Sequence, residues 1–371
     1  MSLPLTPGAC PSPWGEPQAG GCLKQQPEDF IVDEVLGFEP MAEAGEHLWL
    51  LVRKRELNTD QVARELAATL GVRPDAVSCS GLKDRHALTT QWFSVHWLGQ
   101  GDWPGGTDAI TVETPSGAGW YQVLRSLRCA RKLRKGTHAA NDFVITLRDI
   151  QGDPEALEQR LMQLRDAGVP NYFGPQRFGH GGRNLAQGLA LLADRRAGRR
   201  RRRDNRESLW LSSLRSALFN QVLAVRVEEG SWDRCLPGDV LQLDGRGSFF
   251  QPETGQEAGQ DDWSARLQAG LIHPTGPLPG DGRPVISGEV AALEARVLAP
   301  WQDIVDDLAA LRVPAQRRAL RLRIDNLAWD WQAADVLRLA FRLTSGSFAT
   351  SVVEQLIRLD AAPAASSTGD S

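Results

Sequence analysis

The chain has 371 residues, 42% hydrophobic and 24% charged, with a formal net charge of −4 at pH 7. This is ordinary soluble globular material with room for two domains, and any basic surface must be local. The five cysteines form no C-x-x-C pair, which argues against a disulfide framework or thiolate zinc site and fits a reducing cytosol, and no apolar run approaches the roughly 20 residues that span a bilayer.

Residues 1–21 are rich in Pro and Gly and are expected to form a loose arm, without the basic and apolar blocks of a signal peptide. "LKQQPEDFIVDEVLGFEP", from Leu23, reads as extended, with alternation around Phe30, Val32 and Val35, and "HLWLLVRK" as a short strand. Thr59 is the expected N-cap of a helix with Val62, Leu66 and Leu70 at helical spacing, stopped by Gly71 and Pro74. "SCSGLKDRHALT" is a turn-like loop leading into "QWFSVHW", whose alternation is that of a strand. Residues 99–119 are expected to be a loose Gly-rich stretch. "LRSLRCARKLRKGTHAANDFVITLRDI" runs from a basic segment into a strand with Phe143, Ile145 and Leu147 on one face. "PEALEQRLMQLRDAG" is a helix with Pro154 in its first turn. "GVPNYFGPQRFGHGGRN" is a demanding Gly- and Pro-rich loop, followed by an Arg-heavy helical region and by loops over about 230–290. Val336 to Leu343 alternates as a closing strand, a helix starts near Ser347, and the tail after about 360 is expected to be disordered. No internal repeat is visible. Without a strict βαβ rhythm, the elements fit an α+β fold with an antiparallel-rich sheet.

Several familiar chemistries lack their residues. "GPQRFGHGGRN" carries neither the Lys-Ser/Thr of a Walker loop nor the strand and glycine spacing of a dinucleotide loop. The six histidines form no H-E-x-x-H and no H-x-E with C-x-x-C, and Gly346-Ser347 fails as a nucleophile elbow. Two basic stretches remain in a net-acidic chain: Arg125, Arg128, Arg131, Lys132, Arg134 and Lys135, then Arg195 to Arg206 with five consecutive arginines at 199–203. Like charges held together point to a polyanion, and Arg131, Lys132, Arg134, Arg199, Arg200 and Arg201 are its candidate contacts. "SGLKDRHALTTQWFSV" sets Asp84 between Lys83 and Arg85 ahead of a strand. Taken alone it is a surface turn, or a nucleophile or base whose substrate is anionic.

Seven stretches resemble, in order, the TruD family of tRNA pseudouridine synthases: "LKQQPEDFIVDEVLGFEP", "GLKDRHALTTQWFSV", "RKLRKGTHAANDF", "GVPNYFGPQRFGHGGRNL", "SLRSALFNQVLA", "GDVLQLDGRGSFF" and "GSFATSVVEQLI". Residues 1–20, about 99–119 and 255–320 carry little of the likeness. The resemblance implies isomerisation of uridine 13 of tRNA to pseudouridine with no cofactor, metal or energy source. It puts the catalytic aspartate of G-x-K-D on Asp84, and the substrate contacts on Lys24, Phe30, Asn141, Phe143 and Phe348. It implies the pseudouridine synthase fold, a catalytic domain over 1–167 and 322–371 with a TRUD-type α/β domain inserted at 168–321. The partner it implies is tRNA, bound by a cytoplasmic monomer. The family has Gly before its N-x-F motif where this chain has Ala140; a positive φ there would cost alanine about 1 kcal/mol.

The residue types suit that chemistry. A stacked uracil must be flipped out for a few kcal/mol, and an aromatic platform returns ~1–3 kcal/mol per base. Asn141 offers a donor and an acceptor to the uracil edge. An ordinary aspartate is ionised at neutral pH, so a nearby cation would aim the carboxylate and offset its desolvation. Lys24 and Arg85 can each fill that role; Lys24 is favoured because adjacent side chains rarely fold back on one another. Asp84 could act on ribose carbon 1′, on the uracil ring, or as a base at the sugar. The rival reading is a non-catalytic tRNA-binding or chaperone protein on the same scaffold. An unrelated aspartate-dependent hydrolase lacks a second carboxylate placed by a motif.

Overall fold

Phe30–Val35 alternates buried and half-buried residues, as a strand does with one face in a core. Its place in the computed structural model, which describes residues 5–6, 10–99, 101–115, 117–199, 204–252, 257–282 and 285–359, is the middle of a large sheet. The strand order there is Asp325–Ala333, Val336–Thr344, Ala140–Gln151, Phe30–Val35, Leu88–His96, His47–Arg55, Gly117–Cys129 and Ile110–Thr114. Every pairing along this path is antiparallel except one: Phe30–Val35 runs parallel to Leu88–His96, with Ile31 opposite Leu88. A parallel neighbour needs a long return connection. Here it holds the strand His47–Arg55 and the helix Thr59–Leu70, whose Val62, Leu66 and Leu70 pack with Leu48, Leu50, Val52 and Phe93.

The chain divides into two compact units. One, built on this sheet, comprises Gln18–Leu157, Ile324–Ser347 and the described residues from Ile357. The other comprises the described residues up to Pro17, Glu158–Arg323 and Phe348–Leu356, where the sequence suggested an insert over 168–321. Its core is built on the long helix Glu207–Glu228, whose Leu214, Leu218, Phe219 and Leu223 pack with Phe173, Trp232, Trp301 and Leu320. A four-stranded sheet of Phe249–Phe250, Leu241–Leu243, Ile272–Leu278 and Gln316–Ala319 belongs to it. Among the described residues no helix is long and apolar enough to cross a membrane.

Four local expectations are corrected. The N-cap of the first helix is Asn58, not Thr59, and its backbone N–H donates to Gln61 Oε1 at 2.7 Å; Thr59 is the first helical residue and its hydroxyl serves elsewhere. The supposed arm is anchored, with Leu5 4% exposed in the second unit's core and Gly20–Leu23 paired with Ala140–Gln151. Residues 99–119 contain the strand Ile110–Thr114, whose alternating Thr and Glu mark an edge position. Within 230–290 lies Ile272–Leu278, a buried strand in which Pro274 and Pro277 conceal the pattern.

The turn before Phe30 is held by Asp29, which is 1% exposed. Arg148 Nε donates to its two carboxylate oxygens at 2.9 and 3.1 Å, and the backbone N–H of Gln26 donates to it at 3.1 Å. Removing one partner of such a buried pair strands the remaining donors. Asp29→Ala is therefore expected to cost about 2–4 kcal/mol in urea unfolding, with an unchanged m-value.

Candidate active site

Sheet register brings the site residues together. Residues directly opposite one another share a face, and so do alternate residues along a strand. Phe30, Val32 and Glu34 lie opposite Ile145, Phe143 and Asn141, which lie opposite Leu339, Phe341 and Leu343. On the other flank Val32 lies beside Thr89, and Thr89 and Gln91 lie opposite Lys54 and Val52. One face thus carries Phe30, Glu34, Lys54, Gln91, Asn141 and Phe143. The loop from Ser80 to Ala87 joins Val77–Cys79 to Leu88–His96, which pair as a hairpin.

Asp84 sits in this loop. Because Phe30–Val35 and Leu88–His96 start level with one another, the residues preceding each strand meet at one end of the parallel pair. Lys24 Nζ donates to Asp84 Oδ2 at 2.6 Å and lies 3.9 Å from the centroid of the Phe30 ring. The two side chains are 24% and 41% exposed, so the carboxylate is reachable from solvent. Lys24 has φ +61°, a left-handed backbone that costs a non-glycine residue about 1 kcal/mol. Arg85 turns away: its Nε donates to the Glu56 carbonyl at 3.2 Å, and His86 Nδ1 meets the Glu56 carboxylate at 3.0 Å.

A second lysine reaches Asp84 from the sheet. Lys54 is fully buried and its Nζ donates to the Asp84 backbone carbonyl at 2.6 Å. Burial pulls its pKa from an ordinary 10.5 to about 8, with Asp84 opposing that fall and Lys83 adding to it. Lys83 itself points elsewhere, donating to Asn141 Oδ1 at 2.8 Å and to Glu34 Oε2 at 3.2 Å. Glu34, whose side chain is fully buried, also accepts from the Ser80 hydroxyl and from the Trp92 backbone N–H at 3.1 Å.

Neutral hydrogen bonds lock the loop further. Thr59 Oγ1 accepts from the Lys83 backbone N–H at 3.0 Å and lies 3.1 Å from Gln91 Oε1, to which it donates. Gln91 Nε2 in turn donates to the Gly81 carbonyl at 2.9 Å. Gly81 is held against His138: a Cβ at 81 would lie 3.0 Å from the ring's Cε1. His138 Nε2 is 2.9 Å from Ser345 Oγ, and burial together with Lys83 pushes its pKa down, favouring the neutral ring.

The other candidate residues differ in setting. Phe30 and Phe143 are 4% and 6% exposed; they meet edge to face at 6.0 Å, and Phe143 stacks on Phe341 at 5.4 Å. They form an aromatic row within the sheet face. Phe348, 38% exposed, belongs to the other compact unit. Ala140 lies in the strand Ala140–Gln151, opposite Val35 and Thr344, and is not among the residues of positive φ, so alanine carries no strain there. Arg131, Lys132 and Arg134 are exposed and meet no carboxylate among the described residues, on a segment pinned by Leu133 N–H donating to Ser94 Oγ at 2.9 Å. Arg125 instead pairs with Glu39 at 2.7 Å, and Arg128 donates to the Trp97 carbonyl at 2.8 Å. Arg199 is exposed and pairs with Asp194 at 2.8 Å, while Arg200 and Arg201 lie outside the described residues.

Comparison with known proteins settles the family. The family model described as tRNA pseudouridine synthase D (TruD) matches residues 13–195 and 183–356. The chain is 45% identical over 350 residues to the tRNA pseudouridine synthase D of Methylococcus capsulatus, covering 94% of each chain. The chain belongs to the TruD family. The same-named protein of Azotobacter vinelandii is 45% identical over 352 residues, again covering 94% of each chain. A crystallised Methanosarcina mazei protein carrying the TruD name superposes with a TM-score of 0.68 at 23% identity, over 91% of this chain and 93% of that one, a likeness of fold. The architecture is accordingly the pseudouridine synthase fold, α+β with an antiparallel-rich sheet, and the family is one of isomerases.

Two residues of the candidate site were missed in the sequence, and both had a signal. Lys54 follows Leu48, Leu50 and Val52 in the buried phase of its strand, and Glu34 follows Phe30 and Val32 in theirs. A charge in a core phase must find a partner or be neutralised, an amine by losing its proton and a carboxylate by gaining one. Lys54 illustrates the cost. Its folded pKa lies below its unfolded value, so the destabilisation is complete below about pH 8 and relieved as pH rises toward 10.5. For this fully buried amine the shift corresponds to about 3 kcal/mol at neutral pH. Lys54→Met should therefore be more stable than the parent at pH 7 by about 1–2 kcal/mol, after loss of one hydrogen bond. Urea unfolding at pH 7 and 9.5 should show that advantage shrinking at the higher pH.

Proposed function

We propose that this chain converts uridine 13 of tRNA to pseudouridine, with Asp84 as the catalytic carboxylate. The observation that carries this reading is the Lys24–Asp84 pair at 2.6 Å, in the G-x-K-D loop of a TruD-family chain. In the reaction the C1′–N1 bond breaks, uracil turns, and C1′ bonds to C5; the proton on C5 passes to solvent and N1 gains one. The reaction is a net isomerisation, and this reading assigns it no metal or cofactor. Asp84 acts on the nucleoside as nucleophile or as base at the sugar. Lys24 aims the carboxylate and Lys54 holds the backbone beneath it, so that little reorganisation is left to the moment of reaction.

The unit containing Gln18–Leu157 is the catalytic domain in this reading, and the unit containing Glu158–Arg323 is the inserted TRUD-type domain. Lys83 presents Asn141 by holding its Oδ1, and Phe30 and Phe143 back the site as a rigid apolar floor. Phe348, the exposed ring of the set, is offered in this reading as a stacking surface for an RNA base. Arg131, Lys132 and Arg134 contact RNA phosphates, as do Arg199, Arg200 and Arg201. The protein works as a cytoplasmic monomer.

The test is tritium release from C5-labelled uridine in unmodified tRNA. Wild type should release label, and Asp84→Asn should release less than a few per cent as much while binding tRNA within a few-fold of wild type. Tight binding without release by the wild type would instead identify a non-catalytic tRNA-binding protein. Replacing Arg131, Lys132 and Arg134 with Ser should flatten the slope of log affinity against log salt by about 2 to 3, at roughly 0.7–0.9 per phosphate contact.

A further inference from the structure

Some buried or half-buried arginines of the unit containing Glu158–Arg323 meet a carboxylate, and others among the described residues do not, buried Arg321 and half-buried Arg160 included. Arg226 meets Asp239 at 3.0 Å and Arg317 meets Glu294 at 2.6 Å. Arg177, Arg215 and Arg318 meet no carboxylate among the described residues, and all their hydrogen bonds go to neutral acceptors. Arg177 donates Nε to Ser216 Oγ at 3.1 Å and Nη2 to Ser212 Oγ at 2.7 Å. Arg215 donates Nη2 to the carbonyls of Leu278 and Pro314 at 3.0 and 2.9 Å, and more weakly to Gln316 Oε1 at 3.4 Å. Arg318 donates Nη2 to Asn171 Oδ1 at 2.5 Å. Arg215 Nε and Arg318 Nε are buried without a partner, and the Nη1 of all three is unused by the described residues.

The three guanidiniums are gathered. Arg177 and Arg318 share the Phe173 ring, at 5.2 and 4.3 Å from its centroid. Arg215 and Ser212 come from the same stretch of Glu207–Glu228, and the positive charge of Arg177 weighs on Arg215 and Arg318 alike. Strand alternation separates Arg318 from its neighbour: Arg317 goes to Glu294, and Arg318 goes to the aromatic side without a counterion. Burial depresses the pKa of all three, that of Arg318 to about 10. All three nevertheless keep partial exposure. Planar guanidiniums held by neutral acceptors, with unused donors, are the groups that take a phosphate in a bidentate grip.

We propose that Arg177, Arg215 and Arg318 form a phosphate-binding site on this unit that takes a backbone phosphodiester of the substrate RNA. The RNA part rests on the proposed tRNA activity. The Arg131–Arg134 segment belongs to the other unit.

Ser212→Asp tests it by supplying the absent counterion. A carboxylate beside Arg177 should leave the melting temperature equal or higher, as a newly satisfied ion pair would. It should raise KM for unmodified tRNA at least five-fold with kcat within two-fold, and flatten the salt slope of tRNA binding by about 0.7–0.9 for one phosphate lost. Arg215→Gln should change KM and slope in the same direction, and decides the matter should the Asp variant fail to fold. A folded Ser212→Asp protein with unchanged KM and unchanged slope overturns the proposal. So does inorganic phosphate that raises the wild-type melting temperature while the variant's tRNA slope stays unchanged, because the site would then take small anions only. Absence of tritium release by wild type would sink the proposed activity alone, since filter binding of the same tRNA still reads the slope.

Discussion

The parallel pairing of Phe30–Val35 with Leu88–His96 is the constraint on which the site depends. It sets Ile31 beside Leu88, and so brings the turn at Lys24 and the loop at Asp84 to one end of the sheet. A one-residue slip would send Phe30 and Glu34 to the opposite face and break the contacts of Glu34 with Ser80, Lys83 and Trp92 together. Register here is enforced by buried polar contacts as well as by apolar packing, because each such group stranded without a partner costs about 1–3 kcal/mol.

Charge is then distributed so that one carboxylate stays accessible. Four cations and a histidine surround the loop, but Glu34 engages Lys83, and Glu56 engages Arg85 and His86. Asp84 is left with Lys24 on its carboxylate and Lys54 on its backbone. The lysine on the backbone is the more costly, since its burial is complete, and it touches the Asp84 carbonyl and leaves the carboxylate to Lys24. Stability is given up at that point for a fixed aspartate position, a trade found where sites need preorganisation.

Much of this was legible in the chain and some was not. The strands around Phe30 and Phe143 were legible because their period-2 alternation is local, whereas Asp84 and Asn141 were singled out only by the resemblance to a family motif. Lys24 as the partner of Asp84 followed from the awkwardness of adjacent side chains folding back. Lys54 was missed because its role depends on a neighbouring strand bringing a loop overhead, which periodicity along one strand cannot express. Nor could sequence tell a ring packed in a sheet face, as Phe30 and Phe143 are, from one left exposed, as Phe348 is. Ile272–Leu278 was hidden because its prolines read as loop signals, although the strand is buried.

The split of the sheet-bearing unit across the sequence has a consequence during synthesis. Ala140–Gln151 pairs on one side with Val336–Thr344, about 185 residues further along the chain. At ribosomal speeds of roughly 5–20 residues per second, that partner is on the order of 10 to 40 seconds away when the earlier strand emerges. For that interval a twelve-residue strand carrying Phe143, Ile145 and Leu147 has one unpaired edge, the kind of surface on which nascent chains aggregate. Asp142, Arg148 and Asp149 on the same strand are charges of the type that discourage such pairing. The residues emerging meanwhile build the second unit's own core around Glu207–Glu228, so the ribosome delivers a largely formed domain before the first sheet can be closed.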